Sequence, residues 1–360
     1  MQSHWIGSIV EELDTPALVV DLEKMERNVA SIVSTLRDLG VGWRPHVKCH
    51  KSPDIARRLV AAGAIGITCA KLGEAEVMAD AGLDNILIAN QVVGPVKMRR
   101  LVALRRRADV TVAVDDPAQI EQLAAAAREA DVTLPVVVEL NIGQNRCGVD
   151  PGQPAVALSH LVQETAGLEY RGLMGWEGHV MSLEDPEAIA RQAREAVAGL
   201  TRSAEMCRAA GLPVEVVSAG GTITYRATGG VPGVTEVQAG GGVLMDAFYQ
   251  RRGVPLEPAL TILTTVVSRR PQRAVVDGGF KTFGLLPPVP LLEGVAGFEP
   301  SAEHGTLHLS GPDVPLKVGD KVSFILGYVD MAAFLHERMF AVRNGRVEEV
   351  WELVARGKLQ

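Results

Sequence analysis

Aromatic side chains and paired cysteines are scarce in this sequence. Aromatic residues make up 4% of its 360 residues, so the core must be built from Val, Leu, Ile and Ala, which suits buried parallel strands. The four cysteines, Cys49, Cys69, Cys147 and Cys207, form no C-x-x-C pair and no zinc-ribbon spacing. Because a chain of this length needs no disulfide bond to fold, we expect a reducing, cytoplasmic compartment.

Long apolar runs and basic blocks are also lacking. No apolar stretch approaches the ~20 residues that span a bilayer, and Met1–Leu13 has no basic segment followed by an apolar run. We therefore expect no membrane segment and no secretory signal. The net charge is −7, and the densest basic run, Arg105 to Arg107, is typical of a solvated helix face. This charge balance argues against a nucleic-acid-binding surface.

Short apolar runs alternate with longer helical segments through the middle of the chain. Eight such units predict a closed parallel (β/α)8 barrel of the TIM type. An open doubly wound sheet is the alternative, but no G-x-G-x-x-G opens a helix after the first strand. The predicted strands are Gly42–Lys48, Ile65–Cys69, Asn85–Asn90, Val110–Val114, Pro135–Leu140, Leu173–Trp176, Pro213–Ser218 and Thr235–Ala239.

Beyond about Gly253 the pattern changes to short strands separated by turns, which predicts an antiparallel β domain. Asn344-Gly345 is the clearest hairpin signal. The opening strand Thr15–Asp21 is a candidate to pair with this domain. We therefore expect a barrel over residues 22–250 and a β domain made of 1–21 and 251–360. The C-terminal strands are predicted at Thr261–Val267, Arg273–Asp277, Thr306–Leu309, Lys321–Ile325, Arg338–Arg343 and Arg346–Leu353.

The densest group of reactive side chains is Arg44-Pro45-His46-Val47-Lys48-Cys49-His50-Lys51, at the end of the first predicted strand. Barrel active sites lie at the carboxyl ends of strands. A lysine crowded by other cations in a partly desolvated site is a usable nucleophile, as an imine with an aldehyde cofactor requires. The alternative is a basic rim that solvates the barrel mouth.

Two glycine-rich stretches follow the last two predicted barrel strands. They are Ser218-Ala219-Gly220-Gly221-Thr222 and Gln238-Ala239-Gly240-Gly241-Gly242. Small residues let backbone N–H groups close on a phosphate, and a following helix would add its dipole, although tight turns use glycine too. The loops after strands seven and eight form the usual phosphate site of such barrels, so a phosphate site is predicted here.

Two further polar side chains stand at predicted strand ends. Arg146, after the fifth strand, is suited to an anionic oxygen of a cofactor, or else to a surface ion pair. His179, after the sixth, is a candidate acid or base, or else a hydrogen-bonded structural histidine.

The order of these segments resembles the D-threonine aldolase and D-serine dehydratase family of pyridoxal-phosphate enzymes, which have the alanine-racemase-type fold. The resemblance runs nearly end to end, and Arg44-Pro45-His46-Val47-Lys48 is its most specific element. The other matching segments are Asp14-Thr15-Pro16-Ala17-Leu18, Leu72-Gly73-Glu74-Ala75-Glu76, Arg146-Cys147-Gly148, Ser218-Ala219-Gly220-Gly221-Thr222 and Val342-Arg343-Asn344-Gly345.

The resemblance implies that Lys48, rather than Lys51, carries the cofactor imine and that Arg146 approaches the cofactor ring. Trp176 stands where the family often has a tyrosine near that ring. Family members are usually homodimers with sites near the subunit interface. The expected cofactor-binding residues are Lys48, His46, Arg146, Trp176, Ser218, Gly220, Gly221, Thr222, Gln238, Gly240 and Gly241.

Many family members also bind a divalent metal through a His-x-Cys or His-x-Asp pair. The matching segment here is Gly327-Tyr328-Val329-Asp330. Asp330 is the one expected ligand for Mn, Mg or Zn, because a neutral phenol at Tyr328 binds metal poorly compared with imidazole. The replacement of histidine speaks against the metal site.

The leading functional prediction is a lyase, an aldolase or dehydratase, that acts on D-3-hydroxy amino acids such as D-threonine or D-serine. Asp330 and His179 are then candidates to act at the β-hydroxyl. An amino-acid racemase with Lys48 and Tyr328 as its two bases is the alternative. A non-catalytic protein of pyridoxal phosphate homeostasis is the third, but small relatives of that kind lack the C-terminal β domain.

Overall fold

Parallel strands form the ring that carries most of the predicted site residues. In the computed structural model, which describes residues 4–360, eight strands pair in the order β2-β9-β8-β7-β6-β5-β4-β3. All of these pairs are parallel. The strands are β2 (Gly42–Trp43), β3 (Ile67–Cys69), β4 (Ile86–Gln91), β5 (Val110–Val114), β6 (Leu134–Leu140), β7 (Leu168–Gly175), β8 (Val216–Ala219) and β9 (Glu236–Val237).

Backbone contacts between β2 and β3 close this sheet into a barrel. Ile65 N donates to Trp43 O at 2.8 Å, and Thr68 N donates to Pro45 O at 2.9 Å. His46 forms a parallel bridge with Thr68. The predicted closed barrel is thereby confirmed.

The helices between the strands begin where the sequence signals a start. Proline occupies the first turn of four helices, Pro95–Arg105, Pro117–Glu129, Gln153–Glu164 and Pro186–Ala209, where its missing N–H costs nothing. The Asp116 and Asp185 side chains cap two of them. The helices are α1 (Leu22–Asp38), α2 (Pro53–Ala61), α3 (Leu72–Asp80), α4 (Pro95–Arg105), α5 (Pro117–Glu129), α6 (Gln153–Glu164), α7 (Pro186–Ala209) and α8 (Tyr225–Gly229).

The remaining strands build a second, mostly antiparallel sheet, in the order β13-β14-β11-β10-β1-β16-β17, with β15 paired to β10 and β12. Short helices α9 (Ala247–Gln250), α10 (Phe280–Phe283) and α11 (Val329–Ala332) accompany it. The strands are β1 (Ala17–Asp21), β10 (Leu260–Arg270), β11 (Arg273–Val276), β12 (Val289–Pro290), β13 (Val295–Pro300), β14 (Gly305–Leu309), β15 (Lys321–Ile325), β16 (Arg338–Arg343) and β17 (Arg346–Glu352).

The opening strand β1 lies inside this second sheet, as predicted. It pairs antiparallel with β10 and parallel with β16, so the sheet contains one parallel pair that the sequence did not reveal. The predicted hairpin is also confirmed. Asn344 and Gly345 have φ values of 51° and 73°, the left-handed pair that a tight type I′ turn requires.

The chain consists of two compact units, the barrel unit and the β unit. Residues 1–3 of the predicted segment 1–21 lie outside the described residues. Within residues 4–360, no helix combines the length and apolar character needed to cross a membrane. The barrel unit is Ser31–Lys48, Ile55–Gly240 and Gly357–Gln360, and the β unit is residues 4–30, Cys49–Asp54 and Gly241–Arg356.

The first barrel strand is shorter than predicted. The sequence predicted a strand over Gly42–Lys48, but β2 ends at Trp43 and Val47–Cys49 forms a 3-10 turn. Pro45 has no N–H to donate and interrupts the ladder, although its carbonyl still accepts from Thr68. Lys48 therefore lies in a turn beyond the strand end.

Candidate active site

Three of the predicted site residues meet at the carboxyl ends of the barrel strands. The Lys48 ammonium group lies 5.6 Å from the centre of the Trp176 ring. The Arg146 guanidinium carbon lies 5.2 Å from the same centre. Trp176 follows β7 directly, and Lys48 lies in the turn after β2. Two cations against one indole ring are stabilised by its quadrupole and form a basic, aromatic cluster.

Glycine residues on two loops lie next to the Trp176 ring. A Cβ atom at Gly178 would lie 2.5 Å from the ring, so only glycine fits there. A Cβ atom at Gly221 would lie 3.5 Å from the indole Nε1 atom, which is ordinary contact. The indole N–H group therefore lies beside the Ser218–Thr222 loop.

Arg146 is held by a buried carboxylate. Its Nη2 atom lies 3.7 Å from Glu139 Oε1, and Gln91 Nε2 donates to Glu139 Oε2 at 2.6 Å. The Glu139 side chain is buried on β6. Burial raises the pKa of Glu139, while Gln91 and Arg146 oppose that shift. Glu139 thus holds Arg146 on one side. The side chain of Arg146 is half exposed, so its guanidinium group can still contact a ligand.

Glu139 and Gln91 were not among the residues predicted from the sequence. Glu139 is the one charged residue in the otherwise apolar run Leu134–Leu140. A charge inside a buried strand needs a partner, and this signal was available in the sequence alone.

The two glycine-rich loops are tied together within the barrel unit. Gln238 Nε2 donates to Ser218 Oγ at 2.9 Å, and both residues are buried. At Gly240 a Cβ atom would lie 2.2 Å from the carbonyl oxygen of His46. Glycine is required there because backbone packs directly on backbone.

The N–H groups of the first loop have partners of their own. Gly220 N donates to Glu177 Oε2 at 3.3 Å, and Gly221 N donates to Thr224 Oγ1 at 3.1 Å. The helix after this loop, α8, has only five residues. So short a helix aligns few peptide dipoles, and the predicted contribution of a helix dipole stays a prediction.

The two histidines predicted for the site occupy different settings in the barrel unit. His46 Nδ1 accepts from the backbone N–H of Lys48 at 3.5 Å, so its ring lies along the turn that carries the lysine. His179 lies in the 3-10 turn Gly178–Ser182, and a Cβ atom at Gly143 would lie 2.6 Å from its ring. Among the described residues, its buried Nδ1 atom has no hydrogen-bond partner.

Two residues of the predicted basic cluster around Lys48, Arg44 and His50, are buried and do not form a cationic surface. Arg44 is buried, with its Nε atom 2.8 Å from Glu236 Oε1 and Nη1 2.7 Å from the Asn85 carbonyl oxygen. His50 is fully buried, which with Lys51 lowers its pKa to about 3. Neither residue forms a solvated rim. Arg44 fixes the barrel wall, and His50 is neutral.

In the β unit, the predicted Tyr328 and Asp330 form a hydrogen-bonded pair. The Tyr328 hydroxyl donates to Asp330 Oδ2 at 3.2 Å. Burial, followed by the nearby Asp330 charge, raises the pKa of Tyr328 above its usual range. The phenol therefore keeps its proton at neutral pH.

A second buried carboxyl group, Asp246, supports the segment that carries Tyr328. It accepts from Val329 N and Tyr249 N at 2.8 and 2.9 Å. Burial raises the pKa of Asp246 to about 7, against the opposing effect of these two N–H groups. Asp246 was not predicted: Tyr249 is only three residues further on, but Val329 is 83 residues away in the sequence.

Two family models match this chain. Residues 20–247 match the alanine racemase N-terminal domain, and residues 259–342 match a putative serine dehydratase domain. The chain is 34% identical to a D-threonine aldolase of Arthrobacter sp, over 98% of this chain and 95% of that one. It is 35% identical to a 3-hydroxy-D-aspartate aldolase of Paracoccus denitrificans, over 98% and 94%.

A solved structure agrees with these matches. The crystal structure of D-threonine aldolase from Filomicrobium marinum superimposes with a TM-score of 0.96 at 38% identity, covering 99% of this chain and 98% of the other. The chain belongs to the D-threonine aldolase family. The predicted family and the alanine-racemase-type fold are both confirmed.

The D-threonine aldolase family implies pyridoxal phosphate as cofactor, and the residues of the barrel unit fit it. An amine, a guanidinium group and an aromatic ring converge at Lys48, Arg146 and Trp176. Beside them, Gly221 has room for a ligand, because a Cβ atom there would meet only the Trp176 indole nitrogen within van der Waals distance. The donor set matches an anionic, planar aldehyde.

The segment with Tyr328 and Asp330 is where the family resemblance implied a divalent metal. Within residues 4–360, no three His, Cys, Asp or Glu side chains stand close enough together to hold a metal ion. The neighbour of Asp330 is a protonated phenol, which is a weak ligand. The donor chemistry of this segment does not fit the metal site that the family resemblance implied.

Proposed function

We propose that this protein is a pyridoxal-phosphate-dependent lyase, an aldolase or a dehydratase, that acts on D-3-hydroxy amino acids such as D-threonine or D-serine. The observation that carries the proposal is the convergence of Lys48 and Arg146 on Trp176 at the carboxyl ends of the barrel strands. The substrate class follows from the named relatives, two aldolases of D-3-hydroxy amino acids.

We assign a role to each predicted cofactor-binding residue. Lys48 would hold the aldehyde group of the cofactor, Arg146 would bind an anionic oxygen, and Trp176 and His46 would line the pocket. Gly220 contributes space, since its N–H group is bonded to Glu177. The phosphate is assigned to Ser218, Gly221, Thr222, Gln238, Gly240 and Gly241.

When bound, pyridoxal phosphate supplies an electron sink for the negative charge that forms at the substrate α carbon. The side chains of this chain must then move protons. With substrate bound, the Lys48 amine would act as a base. Within residues 4–360 the buried Nδ1 atom of His179 has no hydrogen-bond partner, and this histidine is proposed to take the β-hydroxyl proton, as carbon–carbon cleavage requires.

Tyr328 and Asp330 are proposed to serve the second reaction type. Loss of the β-hydroxyl group needs an acid, and a phenol that keeps its proton is an acid rather than a base. The same property weighs against the alternative, an amino-acid racemase with Lys48 and Tyr328 as its two bases. A racemase tyrosine must give up its proton readily, whereas burial and Asp330 oppose this here.

We further propose that the chain works without a metal ion, as a homodimer in the cytoplasm, with 22–250 as the cofactor domain and 1–21 plus 251–360 as the β domain. None of the four cysteines forms a disulfide bond within the described residues, which is consistent with a reducing compartment. Measuring the molecular mass of the protein in solution tests whether it is a dimer.

Product formation from D-threonine, D-serine, 3-hydroxy-D-aspartate and D-alanine tests the function directly. We expect cleavage or dehydration of the hydroxy substrates and no inversion of D-alanine. Lys48→Ala should abolish turnover, whereas Lys281→Ala, at a side chain that is 70% exposed, should leave it unchanged. Borohydride reduction and peptide mapping should place the cofactor on Lys48. Inversion of D-alanine without lyase products would reject the proposal in favour of the racemase.

A further inference from the structure

Glu177 is a buried carboxylate at the centre of the cofactor loops. Its exposed fraction is 0%, and it lies between Trp176, which contacts Lys48 and Arg146, and Gly178, which packs on the indole ring. A carboxylate taken fully out of water is costly unless donors surround it. The hydrogen-bond donors around Glu177 must therefore compensate for its burial.

Both Glu177 oxygens bind groups of the phosphate loop and its helix. Oε2 accepts the backbone N–H of Gly220, and Oε1 accepts the hydroxyl of Thr228 on α8. Hydrogen bonds to an ionised acceptor are stronger than neutral ones. One carboxylate thus fastens the loop after β8 to the loop after β7.

The backbone at Gly220 depends on this fastening. Its φ is 82°, a left-handed value, and a Cβ atom there would lie 3.0 Å from Val237 Cγ1 and 3.1 Å from Thr228 Cγ2. The residue is pressed onto β9 and α8 with its N–H turned toward Glu177. The next N–H, of Gly221, donates to the Thr224 hydroxyl, and a hydroxyl can rotate away for a ligand.

We infer that Glu177 is a positioning residue for the phosphate group of the cofactor. By binding Gly220 and Thr228 it sets the loop conformation in which Gly221 and its neighbours meet the phosphate, and it fixes Trp176 through the adjoining peptide bond. This inference rests on the proposed cofactor but adds a residue outside its expected binding set. It makes the recognition of phosphate, rather than of the pyridoxal ring, depend on Glu177.

The ratio of the dissociation constants of pyridoxal and pyridoxal phosphate tests this role. Both compounds are titrated into cofactor-free protein, with tryptophan fluorescence as the readout. In Glu177→Ala we expect pyridoxal phosphate to bind about tenfold to hundredfold more weakly, while pyridoxal binds as in the unchanged protein. Glu177→Gln should restore the ratio, because its amide oxygen can accept from Gly220 and its amino group can donate to Thr228.

If Glu177→Ala folds poorly, two substitutions of Thr228 provide a milder test with a matched control. Thr228→Val removes one donor to the carboxylate and should lower the preference for pyridoxal phosphate about threefold to tenfold, whereas Thr228→Ser keeps the hydroxyl and the preference. Equal weakening of both compounds, or an unchanged ratio in both Glu177→Ala and Thr228→Val, would overturn the inference. If the unchanged protein itself does not prefer pyridoxal phosphate, the proposed cofactor fails, and this outcome is separate from any effect of Glu177.

Discussion

The ammonium group of Lys48 lies over the ring of Trp176, 5.6 Å from its centre. The lysine is in a turn after the first barrel strand, and the tryptophan follows the sixth strand of that barrel along the chain. Cation–aromatic attraction grows when the pair is desolvated. The indole ring therefore helps to orient the amine.

Replacing Trp176 by leucine should loosen this arrangement. The loss of a cation–aromatic contact corresponds to about a twofold to thirtyfold weaker binding of pyridoxal phosphate. Trp176→Phe keeps the ring and should retain most of the affinity. Equilibrium titration of the cofactor measures both variants, and equal affinities for leucine and phenylalanine would show that the ring has no part in binding.

The contact between Arg146 and Glu139 should behave as one functional pair. We expect Arg146→Ala and Glu139→Ala each to reduce kcat/KM, and the double variant to lose little more than Arg146→Ala alone. Because Arg146 is half exposed, the coupling energy should be about 0.5–1 kcal/mol. A double-mutant cycle measures it, and strictly additive losses would mean that Glu139 does not act through the arginine.

Acid should destabilise the protein partly through His50. Its folded pKa, about 3, lies below the ordinary value of 6.5, so only the unfolded chain takes up this proton as the pH falls below about 6.5. The stability that it contributes is present above that pH and is lost as the pH falls toward 3, by up to about 1.4 kcal/mol per pH unit.

The variant His50→Asn should flatten this acid limb, since asparagine can still accept the Ser52 N–H that binds His50 Nδ1. Urea unfolding between about pH 7 and pH 5 measures the slope. His160→Asn, at a side chain that is 38% exposed, is the matched control. An unchanged slope in His50→Asn would mean that the buried ring is not the group responsible.

Tyr328 should decide whether this chain binds a metal ion. With a protonated phenol beside Asp330, we expect no stoichiometric binding of Mn²⁺ or Zn²⁺ and no loss of activity with chelator. Tyr328→His supplies an imidazole next to the carboxylate and should gain metal affinity, whereas Tyr328→Phe should not. Calorimetric titration separates the three proteins. Tight metal binding by the unchanged chain would refute this expectation.

Features that depend on neighbouring residues could be predicted from the sequence, whereas contacts between residues far apart in the sequence could not. Asn344-Gly345 needs only its own backbone preference to form a turn, and Lys48 belongs to a short specific motif. Arg44 was misjudged because its partner, Glu236, is 192 residues away. Glu177 was missed because Gly220 and Thr228 are 43 and 51 residues further on, and no local pattern indicates which donors a buried carboxylate will find.

The position of β1 has a consequence for biosynthesis. The ribosome makes this strand before the barrel, whereas its partners β10 and β16 follow the barrel in the sequence. Both of its edges must stay unpaired while the whole barrel is made, because loop closure precedes such non-local pairing. The β unit is therefore completed last, and a fragment that holds only its C-terminal strands would expose the edges of β10 and β16 to other chains.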